Sequence, residues 1–264
     1  MSLIKKRFDF EKTVTQWRIH KRNERNREIC LQVIRLDQKW SLKILKIQEQ
    51  AVKILEDRNI FQPDSAEFIR SWFRENHGFV IGAIDGNKLV AYFAVFFPGN
   101  DPGNLGIDLG VGTADLKKIA QLESAVVIPA YRGNGLGLKL MRLAMKYSNV
   151  PDRCMTAALC SPANLQSLRA MFACGLKIRA LVDKFSGKQR YIFFRDKREK
   201  LLTERPGVVL SSINLTEQKK LLASGYCGFK PGNAGGIEFR KFRTSGKKEA
   251  PGTGRNRAAE PRRT

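Results

Sequence analysis

Histidine is nearly missing from this chain of 264 residues: His20 and His77 are the only two. Its cysteines (Cys30, Cys154, Cys160, Cys174 and Cys227) stand singly, with no CxxC or Cys/His ligand spacing. A zinc site is therefore not expected. Isolated cysteines in odd number fit a reducing, cytoplasmic setting. No apolar run reaches the roughly 18 residues of a membrane span. The basic stretch Met1 to Trp17 lacks the apolar core of a secretion signal. Neither membrane insertion nor export is expected, so the sequon Asn214-Leu215-Thr216 has no use. Internal repeats are absent as well.

Acids are also scarce. Lys and Arg number 48 against 25 Asp and Glu, a formal charge of +23. Residues 1–28 hold nine bases and four acids, or +5; residues 240–264 hold nine and two, or +7. About half of the excess thus sits at the ends. Such a charge favours polyanionic partners, nucleic acid among them, and disfavours polycationic ones unless a pocket is itself acidic. The termini are either solvated, frayed ends or a grip on nucleic acid or an anionic surface.

Between the ends, the patterning predicts alternating strands and helices. Residues 1–26 are charged, poorly patterned and weakly ordered. Ile29 to Ile34 reads as a strand, and Asp37 offers an N-cap to a helix with Leu42, Leu45, Ile47, Val52 and Leu55 on its apolar face. Ser65 caps a second helix carrying Phe68, Ile69, Trp72 and Phe73. Asp85-Gly86 between two apolar runs predicts a hairpin over residues 79–97. Pro98 to Asp115, with five glycines, reads as a long loop of the kind that often binds a ligand. A strand over 119–128, a helix to Ser148, a strand over 154–159, a helix ended by Gly175 and strands at 176–182 and 191–194 follow. After a charged link at 197–205, a short helix capped by Thr216 and short strands suggest a small appendage. From 244 on, the chain is Gly, Pro, Lys and Arg rich and should be disordered.

The decisive segment is Arg132-Gly133-Asn134-Gly135-Leu136-Gly137, where a strand gives way to a helix. Glycines leave no Cβ over the backbone N–H groups, and the first amides of a helix are free at its positive end. Together they suit a pyrophosphate. The spacing is not a Walker A loop. Nor is it a Rossmann fingerprint, because Gly133 to Gly137 is GxGxG with no acidic partner about 20 residues on.

Residues 126–137, Val-Val-Ile-Pro-Ala-Tyr-Arg-Gly-Asn-Gly-Leu-Gly, resemble the signature of the GNAT N-acyltransferases, [QR]-x-x-G-x-[GA], with Arg132, Gly135 and Gly137 in register. The resemblance covers roughly residues 28–196 and is to uncharacterised bacterial-type members. It implies an α/β (α+β) GNAT fold: a mixed central sheet splayed at the signature strand, helices on both faces, and here a small C-terminal α+β appendage. The organisation expected is a basic extension at 1–27, an acyltransferase domain at 28–197, an appended subdomain at 198–243 acting as a structural cap, and a basic tail at 244–264.

The same resemblance implies acetyl-CoA as cosubstrate. The free backbone of Ala125, Val126 and Val127, with Ile128 at the margin, would pair with the pantetheine arm. The amides of Arg132, Gly133, Asn134, Gly135, Leu136 and Gly137 would hold the pyrophosphate. Asn164 matches a position that often contacts the cofactor; as a residue it reads equally as a simple N-cap. Glu123 lies on the signature strand, on the face of Ala125 and Val127 by alternation. It is either a general base with a raised pKa or a carboxylate paired to one of many cations. The family's usual tyrosine falls at Met171, which cannot donate a proton, leaving Tyr191 or Tyr131 as substitutes. Cys174 as a nucleophile is rejected, since no histidine lies near it in sequence.

Three functions remain in view. The first is acetyl transfer to a primary amine by direct attack in a ternary complex, with Asn104, Asp108 and Asp115 shaping the acceptor site. The second is acetylation of an RNA-borne or ribosomal amine, which the charge favours. The third is a non-catalytic, basic nucleic-acid-binding protein on the same fold.

Overall fold

The computed structural model describes residues 13–21, 27–199, 201–203, 206–232 and 235–244. Both the start of the expected basic extension and the expected tail past 244 lie outside the described residues. The chain first forms β1 (Thr13–His20), antiparallel to β2 (Glu28–Leu36). This corrects the expectation of weak order before residue 27. Thr15, Trp17 and Ile19 alternate with Gln16, Arg18 and His20, a period-2 signal diluted by the surrounding charge. Ile19 is buried in the core.

Asp37 accepts from the Lys39 amide at 3.1 Å and begins a 3-10 turn, Gln38–Trp40, that leads into α1 (Ser41–Lys53). The buried face of α1 is Ile44, Ile47, Gln48 and Ala51, while Leu42 is 68% exposed. Those buried positions have the i, i+3, i+4, i+7 spacing of one helical face. A polar Gln48 in the middle of it is what misdirected the expectation. Ser65 Oγ accepts from the Phe68 amide at 3.1 Å and caps α2 (Ala66–Ser71). Ile69 and Trp72 are buried, and the Phe68 ring meets Trp72 and Phe96 edge-on.

The hairpin forms as its turn residues require. β3 (Gly78–Asp85) and β4 (Lys88–Phe96) join through Gly86, at φ +56°, and Asn87. β4 is buried from Leu89 to Phe96 and lies inside the sheet between β3 and β5. The expected loop at 98–115 is corrected in part: it contains single-turn helices, α3 (Leu105–Asp108) and α4 (Thr113–Leu116). Asn104 holds this segment. Fully buried, it donates to the Gly99 and Leu116 carbonyls at 2.7 and 3.2 Å and accepts from the Gly106 amide at 2.9 Å. Leu105 and Leu116 pack with Ile119, Met155, Ala157, Ile192 and Phe194 in a small core of their own.

The remaining elements are β5 (Ile119–Val127), α5 (Leu136–Ser148), β6 (Met155–Cys160), α6 (Leu165–Ala173), β7 (Lys177–Lys184), β8 (Lys188–Asp196), β9 (Leu201–Thr203), β10 (Val208–Leu210), α7 (Leu215–Ala223), β11 (Tyr226–Pro231) and β12 (Ile237–Thr244). The cap of α7 is Asn214, whose side chain accepts from the Glu217 amide, and not Thr216. One sheet runs β1-β2-β3-β4-β5-β6-β8-β7-β11-β12-β10, with β9 beside β12. Every pairing is antiparallel except β5 with β6, which α5 connects. Both α1 and α5 pack on β4 and β5 without packing closely on one another, so they cover opposite faces. The strands after residue 198 extend the sheet, with Gly228 of β11 facing Ile178 of β7. Among the described residues, no helix is long and apolar enough to cross a membrane.

Candidate functional site

The single parallel pair in the sheet opens. β5 and β6 run in register from Ile119↔Met155 to Leu122↔Ala158, and there the ladder stops, although β5 continues to Val127 and β6 to Cys160. β6 turns its last residues to β8, pairing Leu159 with Ile192 and Cys160 with Tyr191. From Glu123 on, the β6-facing edge of β5 has no strand beside it among the described residues. The β4 side of β5 is irregular at the same place. Ala94 faces Ser124 and Val95 faces Leu122, so Glu123 is an extra residue in the ladder. Such a bulge re-aims a side chain.

The opened strands lead to the glycine loop. Gly133 and Gly135 adopt φ of +89° and +69°, which a residue with a Cβ adopts only at a cost. A Cβ placed on Gly133, Gly135 or Gly137 would meet nothing within 4 Å, so the loop presents bare backbone to open space. Among the described residues, no backbone carbonyl accepts the amides of Gly133 to Leu138; the first helical bond is Lys139 to Gly135, at 3.0 Å. Side chains brace the loop from behind. Arg132 Nε donates to the Val127 carbonyl at 3.0 Å. Asn134 exchanges hydrogen bonds with the His20 backbone, accepting at 3.1 Å and donating at 2.9 Å, and so ties β1 to the loop.

Beside the gap lies a cleft of about 500 Å³ lined by, among others, Asp64, Asp101, Glu123, Ala125, Asn164 and Arg190. Glu123 lines the cleft and is half-buried. Gln121 Nε2 donates to it at 2.8 Å, and Gln121 Oε1 is fixed by the Leu105 amide at 3.2 Å. Burial pushes the Glu123 carboxyl up to about 7, and the Asp64 and Asp101 charges add to that; the Gln121 hydrogen bond opposes it. A carboxyl titrating there can take a proton near neutral pH.

Next to it is a polar network that sequence reasoning missed. Gln48 Nε2 lies 2.7 Å from Asp64 Oδ2, 2.7 Å from the Tyr92 hydroxyl and 3.2 Å from Ser124 Oγ, and the hydroxyls are 2.8 Å apart. Asp64 N donates to Gln48 Oε1 at 2.8 Å. Burial raises the pKa of Asp64 and of Tyr92. Gln48 is separated in sequence by 16, 44 and 76 positions from these partners, so no local pattern links them. The one local signal was the helical spacing of Gln48 with Ile44, Ile47 and Ala51.

The other expected site residues divide. Ala125 is exposed on the unpaired edge, Val126 buried and Val127 half-buried. Asn164 lines the cleft, but its Oδ1 accepts from the Ser167 amide at 3.1 Å as the cap of α6. Tyr191 requires correction as a proton donor. It is fully buried on β8, does not line the cleft, and donates its hydroxyl to Gln218 of α7. Burial raises its pKa further. Tyr131 is likewise buried, with its hydroxyl on Asp85 at 2.5 Å. Met171 does line the cleft. Burial raises the Cys174 thiol, which disfavours a nucleophile there. Of the residues expected to shape the acceptor site, Asp108 pairs with Lys184, Asp115 with Lys118 and Arg198, and Asn104 with backbone.

Residues 47–176 match the model of the acetyltransferase (GNAT) family. This domain belongs to that family. It is an acetyl-CoA-dependent acyltransferase domain, with acetyl-CoA as cosubstrate. The match spans α1 through α6 and takes in the gap, the bulge and the glycine loop. No curated protein matches the sequence. Among solved structures, the chain is similar to yncA of Salmonella typhimurium, solved with its cofactor acetyl-CoA: 15% identity, 67% of this chain and 97% of that one, TM-score 0.49. It is also similar to an N-acetyltransferase of Staphylococcus aureus Mu50, at 13% identity, 63% and 98% coverage and TM-score 0.49. A GNAT-family acetyltransferase of Streptococcus pneumoniae gives 11% identity, 63% and 99% coverage and TM-score 0.49.

The GNAT domain's loop fits its cosubstrate on its own geometry. A diphosphate needs several N–H donors with no side chain over them, and the amides of Gly133 to Leu138, which no backbone carbonyl among the described residues accepts, fit that need. An amide-bearing arm needs a free strand edge, and β5 offers one past Leu122.

Proposed function

We propose that the protein is an N-acetyltransferase that transfers the acetyl group of acetyl-CoA to a primary amine, by direct attack within a ternary complex. In this reading the amides of Gly133 to Leu138 hold the pyrophosphate, the Arg132 amide being engaged by the Pro129 carbonyl at 3.1 Å, and the free edge at Ala125, Val126 and Val127 aligns the pantetheine arm. The cosubstrate supplies an activated thioester whose thiol, with a pKa of about 8.5, leaves without a dedicated acid. Glu123 takes the proton of the incoming ammonium. Gln121 orients its carboxyl, and the bulge turns it toward the gap. Asp64, held by Gln48, lines the same cleft and favours a cationic acceptor.

One observation carries this reading: a carboxyl titrating near 7 at the bulge where β5 parts from β6. Glu123→Gln keeps the shape and the bond to Gln121 but cannot accept a proton. It should lower kcat by roughly 10²–10⁴-fold with acetyl-CoA affinity unchanged. Wild-type kcat/KM should rise with pH through about 7, and the variant should lack that limb. A variant with kcat within threefold of wild type would refute the assignment. Stability gives a second reading. A carboxyl whose folded pKa exceeds its unfolded value binds its proton more tightly when native, so stability is present at low pH and is lost as pH rises through the folded value. Glu123→Gln should therefore gain melting temperature over wild type at pH 8, but not at pH 4.

A further inference from the structure

The cleft carries a guanidinium that no carboxylate among the described residues touches. Arg190 on β8 is 4% exposed and lines the cleft. Its guanidinium donates to the carbonyls of Asn59, at 2.7 Å, and Gln189, at 2.9 Å, and lies 5.7 Å from the Phe185 ring. Among the described residues, no carboxylate forms an ion pair with it; Asp57 acts on it only from beyond contact distance. The other cation of the cleft lining, Lys184, differs in that it holds both oxygens of Asp108 at 2.9 Å. Lys188 at the hairpin tip donates to Gln62 at 3.2 Å, so the β7–β8 hairpin is fastened to the segment that carries Asn59 and Gln62.

A buried cation without a carboxylate in contact is costly, and carbonyl dipoles and a distant acid offset only part of that cost. Arg has five N–H groups in a planar fork, the geometry that takes a carboxylate or phosphate on two parallel bonds. The cosubstrate's diphosphate is not the missing anion, because no residue of the loop Arg132 to Gly137 lines the cleft that holds Arg190. Asp64, Asp101 and Glu123 line that same cleft. It therefore presents a group of carboxyls suited to an ammonium, together with one guanidinium suited to an anion.

We propose that the acceptor is a small amine that also bears a carboxylate or phosphate, with the anion seated on Arg190 and the amine turned toward Glu123. This rests on the acetyl-transfer reading above. An amine without the anion would leave Arg190 uncompensated in the ternary complex, so discrimination should appear in KM. An amine with a second positive charge in place of the anion should be rejected.

The test uses the full chain saturated with acetyl-CoA and amines matched in pairs: amino acids against their carboxamides, and phosphoethanolamine against ethanolamine. Thiol release gives kcat and KM for each. In at least one series the anionic member should exceed its neutral partner at least tenfold in kcat/KM; which series does so tells carboxylate from phosphate. Arg190→Gln should raise KM for the anionic member at least tenfold and bring the ratio near one. Arg190→Lys, which keeps the charge without the fork, should retain part of the preference. Equal use of both members, an unchanged preference in Arg190→Gln, or turnover of no anionic amine by protein that binds acetyl-CoA would overturn the proposal. Calorimetric titration of acetyl-CoA into the same preparation separates these outcomes from failure of the acetyl-transfer reading, in which the cosubstrate itself would not bind.

Discussion

Two glycine-rich segments of this chain look alike as sequence and do opposite things. Residues 98–115 carry five glycines and residues 132–137 carry three. In the first, backbone groups are engaged: Asn104 takes the Gly99 and Leu116 carbonyls and the Gly106 amide, and a Cβ on Gly106 would sit 2.3 Å from Ile119 Cδ1. In the second, no backbone carbonyl among the described residues accepts the amides of Gly133 to Leu138, and a Cβ on any of the three glycines would touch nothing. Gly106 serves close packing in the first, although Gly99, Gly110 and Gly112 stand in the open as the loop glycines do; the segments differ in whether their backbone groups are engaged. An anion site is thus marked by amides left unengaged at a helix start, and glycine content alone does not reveal it.

Substitutions that move the two segments apart should show this. Asn104→Ala strands buried donors and acceptors of the first segment and should cost about 3 kcal/mol in chemical denaturation, with acetyl-CoA affinity of the folded protein unchanged. Gly106→Ala forces a methyl group into Ile119 and Leu116 and should cost roughly 1–3 kcal/mol by the same measurement. If either variant lost cosubstrate affinity while folded, the segment would belong to the binding site and the contrast would fail. A smaller effect extends the comparison to the tyrosines. Tyr191→Phe removes only the bond to Gln218 and should cost about 1 kcal/mol. The pH profile of kcat should stay as in wild type, and a lost alkaline limb would restore Tyr191 as the proton donor.

The strand-to-helix glycine loop, the Asp85-Gly86 hairpin and Glu123 on the signature strand were legible because each signal is local. Turn residues sit between apolar runs, and free amides follow from the start of a helix. β1 was also written in the sequence, in the alternation of Thr15, Trp17 and Ile19, but the basic residues around it hid the pattern. The buried face of α1 was misread because Gln48 breaks an apolar stripe; that residue turns out to hold Asp64, Tyr92 and Ser124 together. The bulge at Glu123 and the parting of β5 from β6 depend on what neighbouring strands do, and no single segment encodes them. Arg190 could be counted as a base in the sequence. Its lack of a carboxylate partner is visible only once Asn59, Phe185 and the acids of the cleft are placed around it.

The central claim is that the amides from Gly133 to Leu138 hold the cosubstrate's diphosphate. The most direct test is calorimetric titration of acetyl-CoA into the wild type and into Gly135→Glu, which puts side-chain bulk and negative charge into the cradle at a position with φ +69°. Affinity in the micromolar range for the wild type, weakened at least 100-fold in a variant that keeps its cooperative unfolding, is the predicted result. Equal binding by both proteins, or no binding by folded wild type, would contradict it.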